Sequence, residues 1–281
     1  MTVRYPKRFD AKLLKRYLKE KRGEGEGASY NPWVQIYDLP SEGLSSIVPG
    51  WKTEGRDHHV LSTLELYFLY LGSWSRKVVD IREQFPLLSF NRKRPPLEET
   101  LAIAAERKIR HPRDDETDHP IVLTTDFLLT LEVDGKRIYH ARTIKQVQDL
   151  ARRRVIEKFE IERRYWQAHN VDWGIVTERD MPATIVKNIE ILYQSYFLPQ
   201  FVDHERLTDT AQELTSMMRE EPAISLANVA KSCDHRLGVK RGSSLQVAYY
   251  LIATRQWRID ISQPLDAAKP LQISGVALQT V

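Results

Sequence analysis

Residues 121 to 145 contain the pattern that most constrains the fold: two runs of strand-forming residues joined by a tight turn. The first run is Ile121 to Val133 and the second is Lys136 to Lys145, both rich in β-branched and apolar side chains. Between them, Asp134-Gly135 supplies the residue types that a two-residue hairpin turn requires. We therefore predict a β-hairpin, and with it a sheet against which the neighbouring segments must pack.

The segments around the hairpin alternate between helical and strand-like patterns. Apolar residues cover most of the circumference of a helix predicted to begin at Ser62, and Val78 to Leu87 alternates between apolar and charged residues as a strand does. A long charged helix is predicted from about Asp149 to Asn170, followed by a short strand. Shorter helices are predicted over 10–22, with Asp10 as N-cap, and over 97–108, and residues 39–55 are a polar stretch rich in Ser, Pro and Gly. This order predicts an α/β domain with a small mixed sheet and flanking helices.

The chain after residue 176 predicts a second, mainly helical domain. Helical patterns cover 185–196, 205–220 and 225–234. A turn through Gly238, a helix over 241–254 and a strand over 257–261 follow, which is the outline of a winged helix. A length of 281 residues fits two domains, and we place them at 1–176 and 177–281.

Composition limits the classes of function. The single cysteine, Cys233, excludes an internal disulfide framework and a Cys-based zinc site. The amino end lacks the apolar core of a secretory signal and no run is long enough to span a bilayer, so we expect a cytosolic protein with no membrane partner. The net charge of +4 permits a polyanionic partner without requiring one.

Three polar residues form the candidate site. Asp126 lies within an apolar strand, where an unpaired carboxylate is costly, and a divalent cation such as Mg²⁺ is one partner that would stabilise it. Lys145 ends the returning strand, and Glu65 lies in the packed helix that begins at Ser62. Two carboxylates and a lysine suit metal-assisted hydrolysis of a phosphodiester. The spacing equally fits an ordinary cross-strand ion pair between Asp126 and Lys145.

Other polar residues have plainer interpretations. We expect His58-His59 to be solvated or helix-capping, and Asp80 and Glu83 to be charges on a strand surface rather than supports of the site. Lys240-Arg241 precedes the second helix of the winged-helix outline and is a candidate phosphate contact, although the pair would equally suit a protein partner. Ser243-Ser244 is the expected N-cap of that helix.

Several motifs in order resemble one protein family. The similarity spans most of residues 20 to 180, and its motifs are Arg22-Gly23, Tyr30 to Trp33, Ser41 to Gly43, Leu61 to Glu65, Val79 to Leu87, Thr124 to Leu128, Lys145 with Leu150, and Glu157 to Trp166. Together they resemble TnsA, the endonuclease subunit of TnsABC-type heteromeric transposases. The second half resembles the winged-helix domain of the same family.

The resemblance implies a restriction-endonuclease-like domain of the PD-(D/E)xK type that cuts the 5′, non-transferred strands at transposon ends in the bacterial cytosol. Its implied partners are the transposon-end DNA, the DDE-type transposase TnsB and the AAA+ ATPase regulator TnsC. Its implied cofactor is Mg²⁺, with Mn²⁺ as a substitute.

Residue by residue, the resemblance assigns catalytic roles to Glu65, Asp126 and Lys145. The implied metal ligands are Glu65, Asp126, the carbonyl of Ile144 and the residue at 143. Many members of this nuclease fold have Glu or Gln at that last position, and this chain has Thr143, whose neutral hydroxyl is a poorer ligand.

Two rival functions remain open at this point. One is a noncatalytic adaptor that links the transposase to the ATPase on a nuclease-like scaffold, which Thr143 favours. The other is a winged-helix transcription factor, which would require a basic recognition helix. The run Leu245 to Leu251 lacks one, and Tyr249, Tyr250 and Trp257 resemble core or interface aromatics more than base contacts.

Overall fold

The computed structural model of the protein describes residues 8–39, 45–53, 55–89 and 94–278 and separates into two compact units, Met1–Met181 and Pro182–Val281. The units divide after Met181, slightly beyond the expected boundary at residue 176. The Ser41-Glu-Gly43 motif lies outside the described residues. Within the described parts of the chain, no helix is both long enough and apolar enough to cross a membrane.

The first unit is built around a four-stranded mixed sheet. Its elements in chain order are α1 (Ala11–Lys19), β1 (Ser46–Pro49), β2 (Asp57–Val60), α2 (Thr63–Trp74), β3 (Val78–Pro86), α3 (Glu98–Glu106), β4 (Thr124–Val133), β5 (Lys136–Ile144), α4 (Arg153–Ala168) and β6 (Asp172–Val176). The strand order is β3-β4-β5-β6, with β5 and β6 parallel and the other pairs antiparallel. The predicted α/β class with a mixed sheet is confirmed.

The hairpin prediction is also confirmed. Val133 pairs with Lys136, and Asp134 and Gly135 between them have φ of 51° and 71°, as a turn of this kind requires. The long helix begins later than predicted, at Arg153, because a short 3₁₀ segment over Val147–Ala151 first turns the chain away from β5.

Helices cover both faces of the sheet. Phe68 of α2 contacts Phe127 of β4, with ring centroids 5.1 Å apart. On the opposite face, α3 and α4 pack on β4 and β5 through a core that includes Ala104, Leu128, Ala141, Ile161, Tyr165 and Trp166. This arrangement buries both sides of the central strands, as a three-layer α/β unit does.

The polar stretch over 39–55 contains a strand that was not predicted. Ser46–Pro49 forms β1, which pairs with β2 in a small antiparallel sheet. The prediction for His58 was wrong, because this side chain lies in β2 and is fully buried. The physical reason is a carboxylate beneath it: Nδ1 of His58 lies 2.7 Å from Oε2 of Glu83.

The charged residues of β3 are buried as well, so the prediction of strand-surface charges at Asp80 and Glu83 was wrong. Glu83 is fully buried and accepts a hydrogen bond of 2.7 Å from Arg56 Nη1. Asp80 is 8% exposed, accepts from the Gly27 N–H, and lies 3.3 Å from Arg82. Opposite charges compensate each other here, which allows a strand with alternating polar residues to be covered on both faces.

The second unit is a helical cluster with a small two-stranded sheet. It contains α5 (Ala183–Tyr193), α6 (His204–Glu220), α7 (Leu226–Leu237), α8 (Ser243–Ala253), β7 (Trp257–Arg258) and β8 (Gly275–Val276), with β7 and β8 antiparallel. Tyr250 and Trp257 are buried, as expected for core aromatics. Gly238 ends α7 with φ of 63°, a left-handed conformation that glycine adopts without strain.

The N-cap of α8 is not Ser243-Ser244 as predicted. Gly242 occupies that position, and the buried carboxylate of Asp234 accepts hydrogen bonds from the N–H groups of Gly242, at 2.6 Å, and Ser244, at 2.8 Å. An aspartate from the end of α7 therefore caps the next helix and fixes the turn between them.

Candidate active site

Glu65 lies in the first turn of α2 and is held by hydrogen bonds at the amino end of the helix. The Ser62 hydroxyl accepts a hydrogen bond from the Glu65 N–H, and the Glu65 carboxylate accepts from the Leu61 N–H at 2.9 Å and the Ser62 hydroxyl at 2.9 Å. The Ser-x-x-Glu pattern is readable in the sequence, although the backbone donor to Glu65 is the N–H of Leu61, one residue before the N-cap. Capping accounts for the orientation of Glu65, but it does not require the carboxylate to lie 7% exposed beside a second one.

That second carboxylate is Asp126, half-buried on β4. Its Oδ2 accepts a hydrogen bond of 2.7 Å from the Ile144 N–H on the neighbouring strand. Burial raises the pKa of Asp126 above its usual range, while this hydrogen bond and the positive charge of Lys145 act in the opposite direction. Burial raises the pKa of Glu65 too, and the negative charge of Asp126 adds to that effect. The structure therefore brings Glu65, Asp126 and Lys145 into electrostatic contact.

Gln84 on β3 lies between the two carboxylates. Its Nε2 donates to Glu65 Oε2 at 3.4 Å, its Oε1 accepts from the Thr124 hydroxyl at 3.2 Å, and a further side-chain hydrogen bond lowers the pKa of Asp126. Gln84 is 3% exposed and has φ of 48°, an unusual backbone conformation for a residue other than glycine within a strand. Sequence reasoning missed this residue, since nothing in the pattern of β3 distinguishes it.

Thr143 is turned towards α4. Its hydroxyl donates to Oε1 of Glu162 and accepts a hydrogen bond of 3.2 Å from the Trp173 indole. Glu162 also accepts from the Thr125 hydroxyl at 2.6 Å. Burial raises the pKa of Glu162 to about 7, these hydrogen bonds oppose that shift, and the charge of Asp126 adds to it. Glu162 is thus a third carboxylate near the site, and it lies in the segment that the sequence predicted only as a long charged helix.

Lys145 follows β5 directly and is half-buried, with its N–H donating to the Val176 carbonyl at 2.9 Å. This backbone bond extends the pairing of β5 and β6 to the lysine. The backbone of Ile144, the other predicted ligand, uses its N–H to anchor Asp126. Across the described ranges, no three His, Cys, Asp or Glu side chains are grouped so as to hold a metal ion among themselves.

The remaining predicted site residues lie in the second unit. Lys240 and Arg241 are exposed in the turn between α7 and α8. Their side chains are open to solvent.

Comparison with known proteins identifies the family. A family model described as TnsA-like endonuclease N terminal matches residues 75–178, and a model described as TnsA endonuclease C terminal matches residues 180–261. Transposon Tn7 transposition protein TnsA of Escherichia coli is 34% identical over 261 residues, which cover 93% of this chain and 90% of that protein. These matches place the chain in the class of transposition endonucleases.

The chain belongs to the TnsA family. The amino-terminal family match contains Asp126 and Lys145, while Glu65 precedes it. The resemblance inferred from the motifs is confirmed at the level of the family.

Proposed function

We propose that this protein is the Mg²⁺-dependent DNA endonuclease subunit of a heteromeric transposase, and that it cuts the 5′, non-transferred strands at the transposon ends. The observation that carries the proposal is the electrostatic contact of Glu65 and Lys145 with Asp126 at one partly buried site. A scaffold has little reason to keep two carboxylates within electrostatic reach of each other at a cost in stability.

A divalent cation fits this site. Burial raises the pKa of both Glu65 and Asp126, so each carboxylate lacks sufficient positive charge nearby. Mg²⁺ supplies that charge and prefers carboxylate and water oxygens. Glu65 and Asp126 would hold the ion, with the Ile144 carbonyl as a further oxygen. Thr143, whose hydroxyl is engaged by Glu162, contributes less.

The residues of the chain have distinct tasks in this proposal. The Leu61 N–H and the Ser62 hydroxyl orient Glu65, and the Ile144 N–H orients Asp126, so both carboxylates are fixed before substrate arrives. The Lys145 ammonium offsets the negative charge that develops on the phosphate and positions the attacking water. Bound Mg²⁺ would supply polarisation of the phosphoryl oxygen and a lowered pKa of water.

Further features of the proposal follow from the family. We infer a restriction-endonuclease-like fold for the first unit, and a winged helix for α7, α8 and the β7–β8 sheet. We also propose TnsB-type transposase and TnsC-type ATPase partners, with the second unit contacting the ATPase. Lys240 and Arg241 stay candidate contacts for phosphate, supported by their exposure beside α8.

Cleavage of labelled transposon-end DNA by the full assembly tests the proposal. We expect wild-type protein to cut in Mg²⁺ and to stop cutting when a chelator is added. Asp126→Asn and Glu65→Gln should reduce the cleavage rate by at least about a hundredfold, the scale expected for loss of electrostatic stabilisation. Asp134→Asn, an exposed turn residue of the same hairpin, is the matched control. Equal rates for all four proteins would refute the nuclease assignment.

A further inference from the structure

Lys158 lies on α4 above the end of β5 that carries Lys145. The parallel strands β5 and β6 are connected by α4, so this helix runs back along the sheet and its first turns lie near the carboxyl end of β5. The register of α4 on the sheet is fixed by Glu162, whose Oε1 accepts hydrogen bonds from Thr143 and Thr125.

Helix and strand geometry then place the two lysines side by side. Lys158 is four residues before Glu162 and so lies on the same side of α4, about 6 Å closer to its amino end. Lys145 is two residues after Thr143, a step of about 6.6 Å along the strand in the same direction. Since Glu162 contacts Thr143, Lys158 lies close to Lys145.

The surroundings of Lys158 are positive. Burial lowers the pKa of Lys158, and the charges of Arg154 and Lys145 lower it further. Among the described residues, no carboxylate lies within ion-pair distance of its ammonium group. Other cations of the same helix are paired, since Arg153 and Arg154 contact Glu157 at 2.9 Å and 3.2 Å. Arg153 and Arg154 are thus paired with a carboxylate of the same helix, whereas the half-buried Lys158 lies near two other positive charges.

A half-buried cation without a counter-ion is destabilising, which is the pattern of a group that meets its anion in a complex. The position beside Lys145 identifies the kind of anion, because the substrate that reaches Lys145 is a chain of phosphates. Lysine binds phosphate as a flexible point charge and needs no fixed bidentate geometry.

We propose that Lys158 binds a backbone phosphate of the DNA strand that is cut, next to the phosphate held at Lys145. This inference rests on the proposed function, because it takes the strand at the candidate site as its ligand. Lys158 would hold the strand in register, and Glu65, Asp126 and Lys145 would remain the groups that act on the scissile bond.

The test compares Lys158→Met with wild-type protein in the full assembly on labelled transposon-end DNA. Methionine keeps the unbranched apolar stem and removes the charge. Binding is measured in Ca²⁺ over a range of salt concentrations, and cleavage is measured in Mg²⁺. We expect weaker DNA binding and a slope of log K against log[salt] that is smaller by about 0.9, the loss of one phosphate contact on a duplex. Lys158→Arg should restore the slope.

Arg153→Met is the matched control, because Arg153 lies on the same helix with a side chain that is 92% exposed and paired with Glu157. An unchanged slope for Lys158→Met would overturn the inference, whether binding is unchanged or weaker. So would loss of a protein partner from the assembly with the slope preserved, which would assign Lys158 to a protein contact. Absence of cleavage by wild type would overturn the proposed function, while the salt slope would still report on Lys158.

Discussion

Glu83→Gln is expected to destabilise the first unit by about 3 kcal/mol at neutral pH. The Glu83 carboxylate is fully buried and accepts hydrogen bonds from Arg56 at 2.7 Å and from the His59 N–H at 3.1 Å, and His58 lies 2.7 Å away. Burial by itself raises the pKa of Glu83, but the charges and hydrogen bonds of His58 and Arg56 outweigh it and lower the pKa from 4.5 to about 2. At about 1.4 kcal/mol per pKa unit, this depression corresponds to about 3 kcal/mol.

The expected destabilisation agrees with the cost of removing one partner from a buried ion pair, about 3–5 kcal/mol, because glutamine leaves Arg56 buried without this counter-ion. The sign with pH follows from linkage. The unfolded chain binds the proton more readily between pH 4.5 and about 2, so this stabilisation is present above pH 4.5 and is lost as pH falls towards 2. The difference between wild type and variant should therefore shrink in acid.

Urea unfolding followed by tryptophan fluorescence measures this difference. Trp257 is the only tryptophan beyond Met181, so the signal comes mainly from the first unit. Glu106→Gln is the control, because that carboxylate is 71% exposed and its ion pair with Arg107 is long at 3.7 Å. Its loss should change stability by less than about 0.5 kcal/mol. A loss below about 1 kcal/mol for Glu83→Gln at neutral pH, or a difference that does not shrink between pH 7 and pH 3, would refute the reasoning.

The remaining predictions concern the candidate site. Because burial raises the pKa of Glu65 and Asp126, the folded metal-free protein binds protons more readily than the unfolded chain, and its stability should fall as pH rises above the ordinary carboxyl range. Mg²⁺ at pH 8 should raise the thermal midpoint of wild type but not of Asp126→Asn; equal midpoint rises would argue against metal binding here. Gln84→Gly relieves the strain of φ 48° but also removes a buried side chain and its hydrogen bonds to Glu65 and Thr124, so stability should fall by about 1–2 kcal/mol while cleavage falls at least tenfold. Unchanged cleavage by this variant would show that Gln84 has no role in positioning the carboxylates.

The sequence predicted the elements whose signals are local. Asp134-Gly135 determined the hairpin, and Ser62 with its apolar helix determined α2, because turn and capping residues act over a few positions. Asp126 stood out since a carboxylate within an apolar strand requires a partner. Lys145 was predicted as a site residue because the pairing of the hairpin brings the end of the returning strand near Asp126.

Features that depend on long-range partners were missed. His58 and Glu83 are 25 residues apart, and only their meeting makes both of them buried. Gln84 and Glu162 contact the site from β3 and α4, and their amide and carboxylate groups look like ordinary surface residues until the sheet is assembled. A local sequence pattern predicts that a charged side chain lies at the surface. The prediction is therefore wrong for charged residues that are buried next to an opposite charge or a hydrogen-bond partner.

Strand-resolved cleavage tests the central claim most directly. Transposon-end DNA labelled separately on each strand is incubated in Mg²⁺ with the partner transposase, the ATPase and either wild-type protein or Lys145→Ala. We predict that wild type gives cuts on both strands, and that the variant retains the 3′ cuts of the transposase and loses the 5′ cuts. Identical 5′ products from both proteins would contradict the account and leave this chain as an adaptor that carries a nuclease-like site.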